Sequence, residues 1–416
     1  MKKRIAFISF LLFLLLVCLS VCAEAPRGAG PNRFTVVVLP DTQAYSWLFP
    51  GILDEQIRWI VDNTDSLNIK MVIHLGDLVE KLGETRQWEN ASKSLSMLDG
   101  KVPYLVLPGN HDVCKTYEDP KRPVICKEFD FTNYDKYFGY SRFKDYPWYK
   151  GSYPPKTNHN SYAFIEVDGL RLGFLSLMHQ PSPDVLDWAK RVVSANRDRL
   201  FVLATHDYVS AWSISKGTHS NTIGMGIWDK LVKDSSNIFL ATNGHFVPVP
   251  YRPEDAHCTR TRGDGSVVHE IVSNYQSEPP DPATFNPGKP SADPKNLPGQ
   301  SGKLRYYVFS PSEKKIRAYT CSPHLRKYYD DAYDEQYQTR KQKGLSQFEL
   351  TYDFGQATRP QTQVHPAEEA LAKSRIPWQF SLRSSVFVRV RPSLALMELA
   401  KELVSQGPPP ETGASW

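Results

Sequence analysis

Residues 70–80 read KMVIHLGDLVE, and residues 103–112 read PYLVLPGNHD. In both stretches a run of apolar residues ends in a short polar motif that contains glycine. Continuous apolar runs of this length are typical of buried parallel strands, and open α/β sheets place their ligands beyond the carboxyl ends of such strands. The two stretches therefore predict strands whose ends carry functional side chains at one edge of a sheet.

Three other apolar runs of the chain end in the same way. The run Phe34–Leu39 is followed by Asp41-Thr42-Gln43, and Leu200–Ala204 is followed by Thr205-His206-Asp207. The run Ile238–Ala241 is followed by Gly244-His245-Phe246-Val247. Apolar residues recur at helical spacing between these runs, as at 53–67 and 184–196. Alternation of strand and helix predicts an α/β fold with a largely parallel sheet and helices packed outside it.

The pattern changes in the second half of the chain. Four segments there have the composition of strands without helices between them: Ser266–Val272, Arg305–Ser310, Lys315–Thr320 and Phe348–Tyr352. Strands that follow one another without crossover helices favour antiparallel pairing, so we expect these segments to extend a second sheet. Residues 277–302 are rich in Pro, Asn and Ser and are expected to form a surface loop.

The five polar motifs supply side chains of metal-ligating types. Because strand ends at one sheet edge converge, we expect their carboxylate, amide and imidazole groups to meet in one cleft. Oxygen and nitrogen ligands in this mixture suit Zn²⁺, Mn²⁺ or Fe ions. The candidate metal ligands are Asp41, Gln43, Asp77, Asn110, His206 and His245. Asp77 has two oxygens with which it can bridge two ions, and Asp41 would belong to the second ion.

His111 is interpreted as an acid and not as a ligand. It adjoins Asn110 at the same strand end, from which it can face the leaving oxygen of a phosphate ester. Asp112 could hold the imidazole ring and favour its protonated form. Glu80 is a candidate acceptor for the free N–H of a metal ligand. The candidate catalytic residues are therefore His111 and Asp112.

In these segments the chain resembles the calcineurin-like metallophosphoesterase superfamily, whose five motifs run DxH, GDxx(D/E), GNH(D/E), an isolated His and GHxH. The resemblance extends in order and spacing from Arg33 to Asp353, and Gly109-Asn110-His111-Asp112 with Gly76-Asp77 is its most specific part. More narrowly, Leu39-Pro40-Asp41-Thr42-Gln43 is similar to the first motif of secreted bacterial-type members that have DTQ there.

The resemblance implies a four-layer sandwich of two mixed β-sheets flanked by helices, with a dinuclear metal site at the upper edge of the sheets. It implies hydrolysis of a phosphomonoester or phosphodiester by a metal-activated water, with His111 as the leaving-group acid. The expected cofactors are one or two divalent ions, drawn from Mn, Fe, Zn or Mg, and the expected partner is a phosphate-ester substrate.

At two positions the chain lacks a histidine of the superfamily pattern, and both histidines would be ligands of the same ion. Gln43 stands where the first motif has histidine, and Val247 replaces the second histidine of GHxH. We therefore expect the four-ligand site that includes Asp77 and Asn110 to bind its ion first. The other ion has an oxygen-rich shell that suits Mg²⁺, Ca²⁺ or Mn²⁺. His257 could substitute for Val247 if the intervening loop turns back, or be an ordinary surface histidine.

The N-terminus has the pattern of a targeting signal. Met1-Lys2-Lys3-Arg4 is basic, Ile5–Val21 is apolar, and small residues follow it as far as Ala25. This order is typical of a secretory signal peptide, so we exclude residues 1–23 from the fold. We expect a secreted, periplasmic or extracellular protein with no later membrane span. The alternatives are a lipid anchor on Cys22, or an apolar segment that is not cleaved and stays as a membrane anchor.

Composition and pattern set the expected organisation of the rest. The formal net charge of +5 is small for 416 residues, and Lys and Arg form no stripe, so composition does not indicate nucleic-acid binding. We expect a metallophosphoesterase domain over residues 33–355 and a Pro- and Gln-containing linker and tail over residues 356–416. Apolar residues at 394–403 could form an amphipathic helix in the tail. The pattern indicates no oligomeric state.

Residues 113–160 form an aromatic-rich insertion directly after the third motif. Its position places it near the cleft, and its rings are expected either to make a satellite core or to touch substrate. In an oxidising compartment Cys114 and Cys126 could close a short loop within it. Cys258 could likewise join Cys321, or both could be free thiols.

The other histidines have no ligand-type companions at an informative spacing. His74 lies inside an apolar run and is expected to be a hydrogen-bonded core residue. The ordinary interpretation also applies to His159, His179, His219, His269, His324 and His365. The function favoured by the whole pattern is a secreted metallophosphoesterase. The alternative is a catalytically weakened member that binds metal and a phosphorylated or glycan ligand.

Overall fold

The computed structural model describes residues 26–28, 30–119, 125–246, 254–283, 293–337 and 342–355. The predicted signal peptide, Val247 and the predicted tail over 356–416 lie outside the described residues. Within the described ranges, no helix combines the length and the hydropathy that crossing a bilayer requires.

The strands and helices alternate through the first half of the chain, as the apolar runs predict. The strands are β1 (Phe34–Leu39), β2 (Ile69–His74), β3 (Tyr104–Val106), β4 (Cys114–Tyr117), β5 (Cys126–Phe129), β6 (Tyr149–Tyr153), β7 (Asn160–Val167), β8 (Leu170–Leu177), β9 (Leu200–Thr205), β10 (Ile238–Asn243), β11 (Glu254–Thr261), β12 (Val267–Asn274), β13 (Leu304–Ser310), β14 (Lys315–Ser322), β15 (Lys327–Tyr328) and β16 (Phe348–Thr351). The α-helices are α1 (Gln43–Leu48), α2 (Pro50–Asp62), α3 (Thr85–Leu95), α4 (Asn110–Val113), α5 (Thr132–Phe138), α6 (Tyr140–Phe143), α7 (Pro183–Ala195), α8 (Ala211–Ser215), α9 (Thr222–Lys230) and α10 (Asp331–Tyr337). Short 3-10 helices occupy Ser96–Leu98, Val232–Asp234 and Pro311–Glu313.

Two mixed seven-stranded sheets form the centre of the molecule. The first runs in the order β15-β14-β13-β1-β2-β3, with β16 also paired to β14, and the second runs β11-β12-β10-β9-β8-β7-β6. Strands β1, β2 and β3 are parallel, as are β8, β9, β10 and β12. The remaining pairs within these sheets are antiparallel. Both sheets are flanked by helices, which confirms the predicted fold class.

Side chains that alternate along β9 separate the layers. Leu200, Val202 and Ala204 belong to the core shared with the first sheet. Phe201 and Leu203 belong to a second core, beneath helices α7 and α9. Because successive residues of a strand point to opposite faces, β9 lies between these two cores. Helices α2 and α3 bury their apolar faces in the core of the first sheet, which completes a helix-sheet-sheet-helix arrangement.

The prediction that the later strands all extend a second sheet is wrong. Strands β13, β14 and β16 join the first sheet, because β13 pairs antiparallel with β1, with Val36 opposite Tyr307. Strands β11 and β12 join the second sheet, and β12 is parallel to β10. Local composition predicts a strand but does not encode which free edge the strand covers. That choice depends on long-range pairing.

The described part of the aromatic-rich insertion packs mainly into the core of the first sheet, and Ile125 and Tyr153 pack against the second core. Tyr134, Phe138 and Phe143 are fully buried in the core of the first sheet, and the ring of Tyr134 meets that of Trp88 edge-on at 6.4 Å. The hairpin β4–β5 opens the insertion and lies beside the carboxyl end of β3. The insertion therefore supports the sheet edge at which the polar motifs end.

The four cysteines among the described residues divide into one disulfide and two thiols. Cys114 and Cys126 are bonded and close the β4–β5 hairpin, as expected. Cys258 and Cys321 are free, so the suggested bond between them is wrong. Cys258 lies on β11 of the second sheet and Cys321 on β14 of the first, and the thiol of Cys258 donates instead to Glu270 at 3.5 Å.

Candidate metal centre

Polar side chains from the ends of strands β1, β2, β3, β9 and β10 meet at one edge of the two sheets. Ligand atoms of Asp41, Asp77 and His206 lie within 4.8 Å of one another. The backbone connects the same loops, because the amide of Thr42 donates to the carbonyl of Asp77 at 3.0 Å. The structure thus brings together side chains that are far apart in the sequence.

Two glycines allow the loops to approach this closely. A Cβ added at Gly109 would collide with Oδ1 of Asp77, and one added at Gly244 would collide with Oδ1 of Asp41. Asp77 itself has a positive φ of 51°, which turns its carboxylate into the cleft. Glycine is therefore needed at both positions because another backbone or carboxylate occupies the space of a side chain.

Three of the candidate ligands lie close to a fourth, His206. Nε2 of His206 lies 3.0 Å from Oδ1 of Asn110, 3.3 Å from Oδ2 of Asp77 and 3.1 Å from Nδ1 of His245. Neighbouring ligands of an ion bound at about 2.1 Å are about 3.0–3.4 Å apart in octahedral or tetrahedral geometry. The spacing and chemistry of these four donors fit a divalent ion.

Further contacts fix how the two imidazoles present their nitrogens. Nδ1 of His206 donates to the carbonyl of Leu75 at 2.8 Å, which leaves Nε2 as the ligating atom. Nε2 of His245 lies 3.9 Å from Oδ2 of Asp207, so its Nδ1 faces His206. Asp207 is held in turn by the side chains of Ser220 and Asn221, at 2.6 and 2.7 Å.

Asp41 and Gln43 come from the loop after β1, and Asp41 lies close to both Asp77 and His206. Asp41 accepts hydrogen bonds from the backbone amide of His245 at 3.1 Å and from Nδ2 of Asn274 at 2.7 Å. Nε2 of Gln43 donates to Glu80 at 3.2 Å, whereas its Oε1 is buried without a hydrogen-bond partner among the described residues. A buried acceptor of this kind suits an ion as its partner.

His257 does not take the place of Val247. Its Nε2 donates to the carbonyl of Gly344 at 2.9 Å, and its ring stacks on Phe348 with centroids 3.8 Å apart. The suggested substitution is therefore wrong, because β11 places this histidine in a different part of the second sheet. Asp41 and Gln43 are the described motif residues that remain for a second ion, with Asp77 shared.

Burial makes the site strongly receptive to a cation. Burial raises the pKa of Asp41 to about 7, and the negative charge of Asp77 acts in the same direction. Burial also acts to raise the pKa of Asp77, but His206 and His111 outweigh it and lower that pKa below its ordinary value. Two buried carboxylates are costly without compensating positive charge, which a divalent ion supplies.

His111 is held at the mouth of the site. Its backbone amide donates to Oδ1 of Asp77 at 2.9 Å, and its Nδ1 donates to the carbonyl of Glu80 at 2.9 Å. Burial acts to lower the pKa of His111, but the charges of Glu80 and Asp77 outweigh it and raise this pKa to about 9. The side chain is 26% exposed, so the ring is accessible from the cleft.

Asp112 does not hold the ring of His111, but its charge does act to raise the pKa of His111, as predicted. Its two oxygens accept the backbone amides of Val79 at 3.0 Å and Gly109 at 2.8 Å. Glu80, and not Asp112, holds the ring of His111. Asp112 therefore joins the loops after β2 and β3 and acts on the site through the backbone. Glu80 also accepts from Gln43, which agrees with the acceptor role expected for it.

Three residues of the site were missed in the sequence. Asn274 follows the apolar run of β12, His179 follows that of β8, and Tyr117 accepts a hydrogen bond from Nδ2 of Asn110 at 3.0 Å. Asn274 and His179 meet the same strand-end criterion as the five motifs, so that criterion could have found them. Tyr117 comes from the insertion, where no comparable pattern exists.

His74 is a core residue, as expected. It is 1% exposed, and its two ring nitrogens contact the hydroxyl of Thr42 at 2.9 Å and the amide of Gly76 at 3.2 Å. Burial lowers the pKa of His74 to about 3. It therefore supports the loop that carries Asp77 as a neutral imidazole.

Known proteins share parts of this chain and of its fold. YvnB of Bacillus subtilis, described as an uncharacterized protein, is 32% identical over 318 residues, which are 75% of this chain and 22% of YvnB. This chain thus spans less than a quarter of the length of that relative.

Two solved structures superpose on the chain at low sequence identity. Purple acid phosphatase PPD1 from yellow lupin (Lupinus luteus) seeds has a TM-score of 0.46 and 11% identity, over 80% of this chain and 57% of that one. GAP50, the anchor in the inner membrane complex of Plasmodium, has a TM-score of 0.42 and 12% identity, over 70% of this chain and 85% of that one.

The family profile described as calcineurin-like phosphoesterase matches residues 34–246, which are just over half of the 416-residue chain. This segment contains the strand-end motifs whose side chains meet in the candidate metal centre. The chain therefore belongs to the calcineurin-like phosphoesterase family.

Proposed function

We propose that this chain is a secreted phosphoesterase that cleaves its substrate with water activated at the metal centre and with His111 as the leaving-group acid. The observation that carries the proposal is the convergence of Asp77, Asn110, His206 and His245 at ligand spacing, directly beside His111. Phosphoester hydrolysis requires charge neutralisation, an activated water and a proton for the leaving oxygen. Ions held by these ligands would supply the first two, and His111 would supply the third.

The residues divide between binding the ions and transferring the proton. Asp77, Asn110, His206 and His245 would hold one ion, and Asp41 with Gln43 and the shared Asp77 would hold the other. Bound divalent ions would neutralise the phosphoryl oxygens and acidify a water. The second-ion shell is poorer in nitrogen, since Gln43 offers an amide oxygen where the family motif has an imidazole.

His111 is the proton donor of the proposed reaction. Because its Nδ1 donates to the carbonyl of Glu80, Nε2 is the ring nitrogen that can pass a proton to the leaving oxygen. The hydrogen bond from its backbone amide to Asp77 keeps the ring beside the ligands. Glu80 therefore positions His111, and Asp77 couples the acid to the metal centre.

Esters with different leaving groups test the role of His111. In His111→Gln, hydrolysis of an alkyl phosphate should fall by about 100-fold or more, because an alkoxide needs a proton to leave. Hydrolysis of 4-nitrophenyl phosphate or bis(4-nitrophenyl) phosphate should fall much less, since nitrophenolate leaves without one. Equal losses on both substrate types would contradict the acid role.

A control separates proton transfer from metal binding. Asp77→Asn should reduce hydrolysis of both leaving-group types and reduce the metal content of the purified chain. His111→Gln should retain its metal. Comparing mono- and diester series with the wild type also determines which ester class the cleft accepts.

The alternative function is binding without efficient turnover. The observation that favours it is Gln43, since an amide oxygen is a weaker ligand than an imidazole for Zn²⁺ or Fe. Wild-type chain that binds Mn²⁺ or Zn²⁺ and inorganic phosphate, yet hydrolyses no mono- or diester, would support this alternative. Turnover that is abolished by Asp77→Asn would exclude it.

Secretion is supported by the N-terminal pattern and by the disulfide between Cys114 and Cys126, since such bonds persist in oxidising compartments. Expression of the full chain in a bacterium should give an exported product that begins after Ala23 or Ala25. N-terminal sequencing of the product in the periplasm or medium measures this. A product that keeps Met1 in the cytoplasm would contradict the proposal.

A further inference from the structure

A third imidazole lies in the metal centre, outside the five motifs. His179 is 0% exposed, and its ligand atom lies with those of His206 and His245 in a set within 4.8 Å of one another. Its ring centroid is 5.6 Å from that of His206 and 5.5 Å from that of His245. The three rings thus form one cluster, in which His179 and His206 are buried and His245 is partly exposed.

The backbone holds His179 firmly against the third motif. It lies two residues beyond the end of β8, and its amide donates to the carbonyl of Pro108 at 2.9 Å, immediately before Gly109-Asn110. This hydrogen bond ties the backbone of His179 to the start of the loop that carries Asn110. The next residue, Gln180, has a positive φ of 53°, which turns the chain away after the imidazole.

The disulfide hairpin fixes the same loop from the other side. The side chain of Gln180 accepts the amide of Cys126 at 2.8 Å and donates to the carbonyl of Cys126 at 3.2 Å. The sulfurs of Cys114 and Cys126 also lie within 4.8 Å of the ligand atom of His179. The imidazole is thus packed between the disulfide and the two histidines of the metal centre.

We propose that His179 is a further ligand of the ion held by Asp77, Asn110, His206 and His245. The inference rests on the proposed metal centre. Two ligands of an ion bound at about 2.1 Å can be at most about 4.2 Å apart. The three imidazoles, whose ligand atoms lie within 4.8 Å of one another, are therefore close to the spacing that one shell requires.

The added imidazole makes the two ions chemically unequal. One shell has three nitrogen ligands, from His179, His206 and His245, whereas the other has the oxygens of Asp41 and Gln43 with Asp77. Imidazole favours Zn²⁺, Co²⁺, Ni²⁺ or Fe²⁺, whereas carboxylate and amide oxygens favour Mg²⁺, Ca²⁺ or Mn²⁺. The nitrogen-rich position should therefore bind a transition metal in the presence of excess Mg²⁺.

X-ray absorption of the full chain, stripped of metal and reloaded with one equivalent of Zn²⁺, counts the imidazoles on the ion. The wild type should show three, and His179→Phe, which keeps a buried ring but removes the donor, should show two. Zn²⁺ affinity, measured by competition with a chromogenic chelator, should fall by about tenfold or more in this variant. His179→Gln repeats the comparison if the phenylalanine variant does not fold.

The matched control is His159→Phe. His159 is also buried, but it stacks on Phe131 and pairs with Asp135 at 3.0 Å, away from the ligands. This variant should keep three imidazoles and wild-type affinity. A His179 variant that matches the control in both measurements would overturn the inference.

His206→Phe distinguishes this failure from failure of the proposed function. His206 is a ligand in the proposed function whether or not His179 is one. If His206→Phe loses Zn²⁺ affinity and His179→Phe does not, only the role of His179 is wrong. If neither variant changes Zn²⁺ binding, the metal centre itself is misplaced.

Discussion

At the scale of single residues, the site depends on close contact between loops as much as on ligand chemistry. Gly109 and Gly244 occur where the carboxylates of Asp77 and Asp41 leave no room for a side chain. Gln43 has an amide where the family motif has an imidazole, and its Nε2 donates to Glu80. One substituted atom type can thus change metal affinity without changing the backbone.

Gly109→Ala should disrupt the site without unfolding the sheets. Its Cβ would meet Oδ1 of Asp77, so the carboxylate or the loop must move. We expect phosphoesterase activity to fall by about 100-fold and bound metal to decrease, as measured by turnover and elemental analysis. Gly83→Ala is the control, because a Cβ at Gly83 meets nothing within 4 Å. Equal activity in the two variants would contradict the prediction.

Gln43→His should strengthen binding of the second ion. An imidazole is a better ligand than an amide for Zn²⁺ or Mn²⁺ at a site that already has Asp41 and Asp77. We expect the affinity for a second equivalent of Mn²⁺ to rise by about tenfold, measured by calorimetric titration. Gln43→Leu, which removes the oxygen, should lower the affinity for the second equivalent of Mn²⁺. If neither substitution affected the second equivalent, Gln43 would not be a ligand.

At the scale of elements, one buried ion pair joins the two sheets. Asp255 on β11 and Arg305 on β13 are 3.1 Å apart, and both side chains are 0% exposed. Arg305 also donates to Thr320 and to the carbonyl of Leu345 at 2.8 and 2.7 Å. The pair therefore links β13, which lies inside the first sheet between β14 and β1, to β11, an edge strand of the second sheet.

Breaking this pair on one side should be more damaging than replacing both partners. Asp255→Asn leaves the charge of Arg305 buried, so we expect a loss of about 3–5 kcal/mol in the free energy of unfolding. Asp255→Leu combined with Arg305→Met should be less destabilised than the single variant, because no charge remains to be compensated. Urea unfolding measures both values. A double variant less stable than the single one would contradict this.

At the scale of the whole molecule, buried neutral histidines in both sheets limit stability in acid. His74 lies on β2 and His269 on β12, and burial lowers their pKa values to about 3 and about 4. Nε2 of His269 donates to the carbonyl of Thr351 at 3.2 Å, and in the neutral ring Nδ1 accepts from the hydroxyl of Thr259 at 2.8 Å. Folding therefore requires these imidazoles to be uncharged.

The sign of the pH dependence follows from these lowered pKa values. An unfolded histidine binds a proton below about pH 6.5, whereas folded His269 resists it until about pH 4. Its stabilising contribution is present above pH 6.5 and is lost as the pH falls toward 4. Urea unfolding at pH 7.5 and pH 5 should show a smaller pH difference in His269→Gln than in the wild type. An unchanged difference would show that His269 does not contribute.

Much of the fold was predictable because its signals are local. The apolar runs that become β1, β2, β3, β9 and β10 identify buried strands from their own residues, and the helices between them follow from periodicity. The helix predicted at 184–196 begins and ends within one residue of α7 (Pro183–Ala195). The pairing of β13 with β1 was not predictable, because nothing in the local sequence of β13 identifies β1 as its antiparallel partner.

The sequence by itself determined which residue types stand at the ends of the buried strands, since burial of an apolar run and the motif that follows it are properties of neighbouring residues. Only the tertiary structure decided which of these side chains meet. It placed His179 and Asn274 beside the predicted ligands, and it placed the carbonyl of Glu80, and not Asp112, against the ring of His111. It also placed Cys258 and Cys321 in different sheets. Such choices depend on sheet order, backbone turn and side-chain direction, which arise from contacts between residues distant in the chain.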